Sequence, residues 1–143
     1  MFGTVVDAAA GKIYWMRPGG PIFGANLDGT DVQIIPTPGA PILNPFGLAL
    51  DPTTGTLYWA NMGDVARAYD PSIAYAKTDG SGGGTLYSNR NLDAKFVEAP
   101  VQVAVDPPRG LIYWANGHGA GTREAGPIVY AKLDGSGSPC TII

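Results

Sequence analysis

Short apolar segments recur along the whole chain, and glycine- or proline-containing turns separate them. The segments are rich in valine, isoleucine, leucine, tyrosine and tryptophan, a composition typical of β-strands. In windows of about ten or more residues, the apolar positions do not recur with the 3.6-residue period of a helix. The segments around Leu48 and Leu57 are apolar at nearly every position, which favours sheets covered on both faces. The pattern therefore predicts an all-β protein.

The apolar segments fall into three imperfect repeats. In each repeat an aspartate ends the first segment, and a tyrosine followed directly by a tryptophan comes seven residues later. A third segment then ends at an Asp-Gly turn, which is a strong hairpin signal because glycine accepts the positive φ that such turns need. The aspartates are Asp7, Asp51 and Asp106, and the pairs are Tyr14-Trp15, Tyr58-Trp59 and Tyr113-Trp114.

Each repeat predicts four antiparallel strands, because one further β-prone segment closes it. The chain is then a single domain, 1–143, with three units at about 2–45, 46–100 and 101–143. The predicted strands lie near 2–7, 12–16, 22–27, 32–36, 46–51, 56–60, 73–78, 85–88, 101–106, 111–115, 128–133 and 140–143.

Tyrosine and tryptophan are adjacent in the second strand of each repeat, so their side chains point to opposite faces of the sheet. Each can then pack against a different neighbouring unit, as in the blades of a β-propeller. We expect Trp15, Trp59 and Trp114 to occupy equivalent buried positions between blades. We expect Asp7, Asp51 and Asp106 to cap the first turn by accepting backbone hydrogen bonds.

The motifs resemble a known family. Gly47-Leu48-Ala49-Leu50-Asp51, then Leu57-Tyr58-Trp59, and a third strand ending in Leu-Asp-Gly are similar to the YWTD repeat of the low-density-lipoprotein-receptor type of six-bladed β-propeller. The Thr-Asp that usually ends this motif is replaced by Met16-Arg17, Ala60-Asn61 and Ala115-Asn116. Asn61 and Asn116 can serve in place of the aspartate, whereas Arg17 cannot do so in the same way. The Tyr-Trp-Ala-Asn form of the motif resembles the one found in bacterial propellers. The resemblance implies that the three repeats of this chain form half of a six-bladed ring.

Composition and charge exclude several classes of function. A net charge of −3 provides no basic surface for nucleic acid, and no apolar run approaches the length of a membrane span. Cys140 is the only cysteine, so the chain forms no internal disulfide. No charged and apolar leader precedes Phe2, so we predict no secretion signal and leave the compartment open. Glycine and proline contribute 21 and 13 residues, which fits a fold built from many short turns.

Two insertions predict a functional face. The tryptophan is 7 residues before the third strand in the first repeat, Trp15 to Ile22, and 14 residues before it in the other two. In an up-and-down blade these loops and the connections between blades lie at one end. Long loops on a rigid scaffold are where binding tends to reside. The polar residues expected there, for a small polar ligand, a peptide or a protein, are Arg17, Asp64, Arg67, Tyr69, His118, Arg123 and Glu124.

No convincing catalytic or metal-binding set accompanies these residues. His118 lies between two glycines, which is typical of an ordinary loop histidine. Asp64, Asp70 and Glu124 could line a calcium site, but the chain has no EF-hand spacing. Lys77 and Lys132 share one position of the third strand, where we expect solvated side chains.

We therefore predict a non-catalytic binding scaffold without a cofactor or metal. The alternatives are a metal-assisted hydrolase or lyase, with its site at the loop mouth of the channel, and a fragment of a longer propeller.

The repeat number predicts an assembly. Three blades would leave apolar faces uncovered on the first and third blades, and such patches seldom stay exposed. Blade three of one copy can dock on blade one of a second copy, and the reverse contact closes the ring. We expect a homodimer that forms one six-bladed propeller.

Overall fold

The computed structural model describes residues 3–63, 70–90, 92, 96–117 and 126–143. In this part of the chain, twelve strands form three four-stranded antiparallel sheets, and in each sheet the strands pair in chain order. We call these sheets blades 1 to 3. The strands of blade 1 are β1 (Thr4–Asp7), β2 (Lys12–Met16), β3 (Ile22–Asn26) and β4 (Gln33–Ile34). Blade 2 contains β5 (Pro45–Asp51), β6 (Thr56–Asn61), β7 (Ser72–Lys77) and β8 (Gly83–Ser88), and blade 3 contains β9 (Pro100–Asp106), β10 (Leu111–Asn116), β11 (Ile128–Lys132) and β12 (Cys140–Thr141).

The all-β fold with four strands in each repeat is thus confirmed. The fourth strands β4 and β12 are shorter than predicted, because the regular ladder covers two residues of each. Backbone hydrogen bonds from Ile35 to Ile22 and from Ile142 to Ile128 continue the contact beyond it. A 3₁₀ turn that was not predicted, Pro107–Arg109, lies between β9 and β10. Two consecutive prolines at its start have their φ fixed near the helical value and lack an N–H, which suits the first positions of such a turn.

The core lies between the blades. One apolar cluster joins Tyr14, Met16 and Ile22 of blade 1 to Leu57 and Trp59 of blade 2. A second cluster joins blade 2 to blade 3, and it contains Tyr58, Ala60, Ile73, Ile112 and Trp114. Tyr14 and Tyr58 therefore face the following blade, and Trp59 and Trp114 face the preceding one. In blade 2, where both neighbours are described, this confirms that the two aromatic residues pack against different blades.

The prediction of three equivalent buried tryptophans is wrong for Trp15. Trp59 and Trp114 are 0% and 1% exposed, whereas Trp15 is only partly buried. The reason is its position in the fold, because the tryptophan side of a blade is covered by the blade before it. No described blade precedes blade 1, so Trp15 lies on an open face.

Close approach of the first strands explains two glycines. A Cβ atom at Gly3 would lie 2.3 Å from the backbone nitrogen of Leu48, and one at Gly47 would lie 2.6 Å from the Cα of Gln102. These separations are far below van der Waals contact, so both junctions require glycine at this position. Blade 3 carries Gln102 at the same position of the repeat.

The repeated aspartates cap only two of the three first turns. Asp7 accepts a hydrogen bond from the backbone N–H of Ala10, and Asp51 accepts one from that of Thr53. Asp106 makes no such bond, so the prediction is wrong there. The two residues that follow Asp106 are prolines without an N–H to donate, and its carboxylate instead pairs with the guanidinium of Arg109 at 2.8 Å.

Candidate functional site

The end of the molecule that holds the β2–β3, β6–β7 and β10–β11 loops, together with the connections between blades, is called the loop end. Arg17 lies there, exposed, with its guanidinium carbon 5.6 Å from the centre of the Phe23 ring. This distance allows a cation–π interaction. The other predicted ligand-binding residues lie outside the described part of the chain: Asp64, Arg67, Tyr69, His118, Arg123 and Glu124.

A repeated clamp fixes the connection in front of blade 2. The indole N–H of Trp59 and the side-chain amide of Asn61 both donate to the carbonyl of Pro41, each at 3.0 Å. The amide oxygen of Asn61 accepts from the backbone N–H of Leu43, and its amide nitrogen also reaches Ser72. Asn61 is fully buried, so these bonds supply the partners that a buried amide needs.

Blade 3 repeats the clamp at the same spacing. Trp114 and Asn116 donate to the carbonyl of Phe96 at 2.7 and 3.2 Å, and Asn116 accepts from the backbone N–H of Glu98. In both blades the tryptophan reaches back 18 residues and the asparagine reaches back 20 residues. The asparagines of the Tyr-Trp-Ala-Asn motif thus anchor the loop end to the sheets.

Blade 1 presents an open aromatic face on the side of β2 that carries Trp15. The rings of Trp15 and Phe23 stack with their centres 5.6 Å apart. Val6 and Ile34 lie on the same side of the sheet by their pairing register, and they are 53% and 58% exposed. This contiguous apolar face is called face A.

Blade 3 presents the opposite side of its sheet, called face B. Tyr113 and Tyr130 stack there with ring centres 6.1 Å apart. Toward the loop end, an apolar hollow of about 610 Å³ opens beside them. Its walls include Val101, Ala115 and Ile128. Sequence reasoning anticipated that both end faces would be apolar, but it did not anticipate a hollow on one of them.

The described residues contain no group of three or more histidine, cysteine, aspartate or glutamate side chains placed to hold a metal ion. Within the same part of the chain, no helix is long and apolar enough to cross a membrane.

Comparisons with known proteins agree with this architecture. A protein of Pyricularia oryzae named low-density lipoprotein receptor-related protein 1 is 32% identical over 125 residues, covering 78% of this chain and 38% of that protein. A chain in the crystal structure of a nidogen/laminin complex superposes with a TM-score of 0.75 at 24% identity, covering 99% of this chain and 47% of that one. A gluconolactonase of Xanthomonas campestris matches with a TM-score of 0.53 at 15% identity, covering 91% and 42%. The chain therefore spans less than half of each of these proteins. No family model matches it.

Four-stranded sheets that pack face to face in chain order, with their first strands side by side, define a β-propeller architecture. The Tyr-Trp motif lies in the second strand of every blade, and a curated relative carries the receptor name. The chain belongs to the YWTD-repeat β-propellers of the low-density-lipoprotein-receptor type.

Proposed function

We propose that this chain is a non-catalytic β-propeller scaffold that binds a protein or small ligand at its loop end, and that a second copy completes it to a six-bladed ring. One observation carries the assembly. Face A and face B are the two halves of the junction that the chain already forms twice, between blades 1 and 2 and between blades 2 and 3.

The hollow on face B supports a specific fit. At the first junction, Met16 and Ile22 share a core cluster with Trp59, and at the second junction Ala60 and Ile73 share one with Trp114. Ala115 and Ile128 occupy the same repeat positions in blade 3, and they line the hollow. Trp15 of a second copy would fill this hollow if face A docked as the internal tryptophan faces do.

Filling the hollow in advance tests this fit. We expect Ala115→Trp to weaken or abolish the dimer, because the new indole would occupy the space that Trp15 needs. Ala10→Trp is the matched control, since it adds the same side chain at an exposed turn away from both faces. Sedimentation equilibrium measures both variants, and circular dichroism verifies that they stay folded. Equal association of a folded Ala115→Trp variant and the parent chain would contradict the proposed contact.

Gln102 makes the proposed seam different from the internal junctions. The glycines at this position leave no room for a Cβ, so Gln102 would hold the first strands of the two copies further apart. Gln102→Gly should tighten the dimer by roughly tenfold, since relief of overpacking contributes ~1–3 kcal/mol. Gln33→Gly, at an exposed position of β4, is the matched control for glycine in a strand. A weaker dimer for Gln102→Gly alone would contradict the geometry of the seam.

The comparisons support the binding role at a coarser level. The curated relative has a receptor name, and the nidogen structure is a protein complex. The gluconolactonase likeness shares the fold alone at 15% identity. Elemental analysis of the purified chain tests the proposed non-catalytic scaffold against the alternative of a metal-assisted hydrolase or lyase. We expect no stoichiometric divalent ion, and one bound ion per chain would favour the enzyme.

A further inference from the structure

The connections in front of blades 2 and 3 are each bound by the blade that follows them, at a place that we call the seat of that blade. Position 1 of the bound segment is the residue whose carbonyl accepts from the tryptophan and the asparagine, Pro41 before blade 2 and Phe96 before blade 3. The backbone N–H at position 3 donates to the asparagine side chain in both segments. The tryptophans and asparagines that make these bonds lie on β6 and β10, so the second strand of one blade is sufficient to make them.

Position 2 carries a β-branched apolar residue in both segments. Ile42 packs against the cluster between blades 1 and 2, and Val97 is fully buried in the cluster between blades 2 and 3. Two adjacent blades therefore form the pocket for this side chain. A seat thus binds the backbone at positions 1 and 3 and an apolar side chain at position 2.

Blade 1 keeps one part of this seat and changes the other. Trp15 occupies the tryptophan position, and its indole N–H has no hydrogen-bond partner in the part of the chain that the structure describes. Arg17 stands where Asn61 stands in blade 2, and Pro18 follows it. The described chain before β1 consists of Gly3, so no described segment fills this seat.

Arg17 inverts the hydrogen-bonding character of the seat at position 3. The amide oxygen of Asn61 accepts the N–H of Leu43, whereas a guanidinium has five N–H donors and no acceptor. The next backbone N–H of the blade donates to the carbonyl at position 4 in front of blades 2 and 3, at 3.2 and 2.8 Å, but blade 1 has Pro18 there. A segment that continued past position 2 would therefore lack these bonds on blade 1.

A segment that ends at position 2 fits the changed seat. One oxygen of its terminal carboxylate replaces the nitrogen of position 3, which is the atom that faces the asparagine in blades 2 and 3. On blade 1 this oxygen would meet the donors of Arg17. Bonds between a guanidinium and a carboxylate are shorter and stronger than bonds between neutral groups.

Phe23 holds the two donors of the seat close together. Its ring stacks on that of Trp15 with centres 5.6 Å apart, and the guanidinium carbon of Arg17 lies 5.6 Å from its centre. Stacking on a ring leaves the N–H groups at the edge of the guanidinium available to a ligand. No carboxylate among the described residues pairs with Arg17.

We propose that the seat of blade 1 binds the C-terminus of a partner peptide. The indole N–H of Trp15 donates to the carbonyl of the penultimate residue, and Arg17 pairs with the terminal carboxylate. The last residue is isoleucine or valine, as at position 2 of the internal segments. This inference rests on the proposed binding role of the loop end and names the part of the partner that is recognised. The second copy contributes to the pocket for the last side chain, whereas both polar contacts belong to blade 1.

A peptide copied from this chain tests the seat. Residues 36–42, Pro-Thr-Pro-Gly-Ala-Pro-Ile, end at position 2 of the segment in front of blade 2. The heptapeptide is acetylated at its N-terminus and is titrated once with a free C-terminal carboxylate and once with a C-terminal amide. The carboxylate form should bind at least about fivefold more tightly, since a hydrogen bond to a charged group contributes more than a neutral one.

The indole N–H resonances of ¹⁵N-labelled protein report the location, because the chain has three tryptophans. The resonance of Trp15 should move on addition of the carboxylate peptide, since its N–H gains an acceptor. Those of Trp59 and Trp114 should stay in place, because their N–H groups already bind carbonyls of the chain.

Arg17→Asn should abolish the preference for the carboxylate over the amide, because the charge is lost. Arg109→Asn is the matched control, since it removes the same charge from the 3₁₀ turn of blade 3, where Arg109 pairs with Asp106. This control should keep the full preference.

Four results would overturn the inference: equal affinity of the two peptides, equal effects of the two variants, movement of the Trp59 or Trp114 resonance in place of that of Trp15, or no binding of the carboxylate peptide at millimolar concentration. The mass of the protein in the same samples separates this inference from the assembly. A ring of two copies that binds no peptide contradicts the inference alone, and a single chain that binds the carboxylate peptide contradicts the ring alone.

Discussion

Three aspartates at one repeat position end the first strands of the blades, but their side chains make different bonds. Asp51 is buried and receives three hydrogen bonds from Thr53 and Thr54, whereas the side chain of Asp106 pairs with the exposed Arg109. Loss of a buried acceptor leaves its donors without partners, while an exposed ion pair contributes little. The same residue type therefore has different energetic weight in the two blades.

Alanine substitution measures this difference. Asp51→Ala should lower the free energy of unfolding by ~1–3 kcal/mol, because buried donors lose their acceptor. Asp106→Ala should lower it by less than about 1 kcal/mol. Urea unfolding at one protein concentration compares the two variants. An equal or larger loss for Asp106→Ala would contradict the assignment of the caps.

The contribution of Asp51 to stability should depend on pH. Burial opposes the ionisation of Asp51, but the hydrogen bonds from Thr53 and Thr54 outweigh it and hold the pKa of this carboxyl below its usual value. The native state then favours the ionised form. Its contribution to stability is complete above the pKa of the unfolded chain, about 4, and is lost as the pH falls through the lower folded pKa. The stability difference between the parent chain and Asp51→Asn should therefore shrink below about pH 4. Urea titrations between about pH 2.5 and 6 measure it, and a difference that grows in acid would refute this account.

At the scale of the strand, the second strands of blades 2 and 3 each bury a whole tryptophan side chain, whereas that of blade 1 does not. Trp59 belongs to the cluster between blades 1 and 2, and its indole also holds the carbonyl of Pro41. Trp15 occupies the same repeat position on an open face. The two tryptophans therefore occupy the same position of the same strand in their blades, whereas the burial of each depends on whether another blade packs against it.

Alanine substitution of the two tryptophans measures how much of their contribution to stability comes from the neighbouring blade. Trp59→Ala should cost ~3–5 kcal/mol of unfolding free energy, because a large side chain leaves a packed layer. Trp15→Ala should cost less than about 1 kcal/mol at dilutions where the chain is single, because its face is open there. Unfolding followed by far-ultraviolet circular dichroism provides both values. A loss below about 1 kcal/mol for Trp59→Ala would show that the blade junctions are misassigned.

The strands were predictable because their signals are local. The apolar runs, the Asp-Gly turns and the Tyr-Trp pairs place β2 and β6 nearly to the residue. The partial exposure of Trp15 and the bonding of Asp106 were not predictable in the same way. The first depends on which blade is absent from one side, and the second on two prolines that remove the donors from a turn.

At the scale of the whole molecule, both cavities arise from the meeting of distant segments. The hollow on face B joins Val101, Ala115 and Ile128, and a cavity between blades 2 and 3 joins Tyr75 to Gly110 and Leu133. No single motif contains either set, so the sequence indicated the loop end alone as a place for binding. Most of the residues predicted there lie outside the described part of the chain, and the loop-end site stays a prediction.

The two open end faces of the chain provide the contact for an assembly of two copies. A junction between face B of one copy and face A of another repeats a contact that the chain forms twice internally, and two copies close it into a ring without growing further. Obligate junctions of this kind bury on the order of 2,000 Å² or more.

Light scattering coupled to size-exclusion chromatography at micromolar concentration measures the mass directly. The proposed ring predicts one species of about 30 kDa, twice the 14.8 kDa of the chain. A stable species of 14.8 kDa, or an open series of larger oligomers, would contradict it.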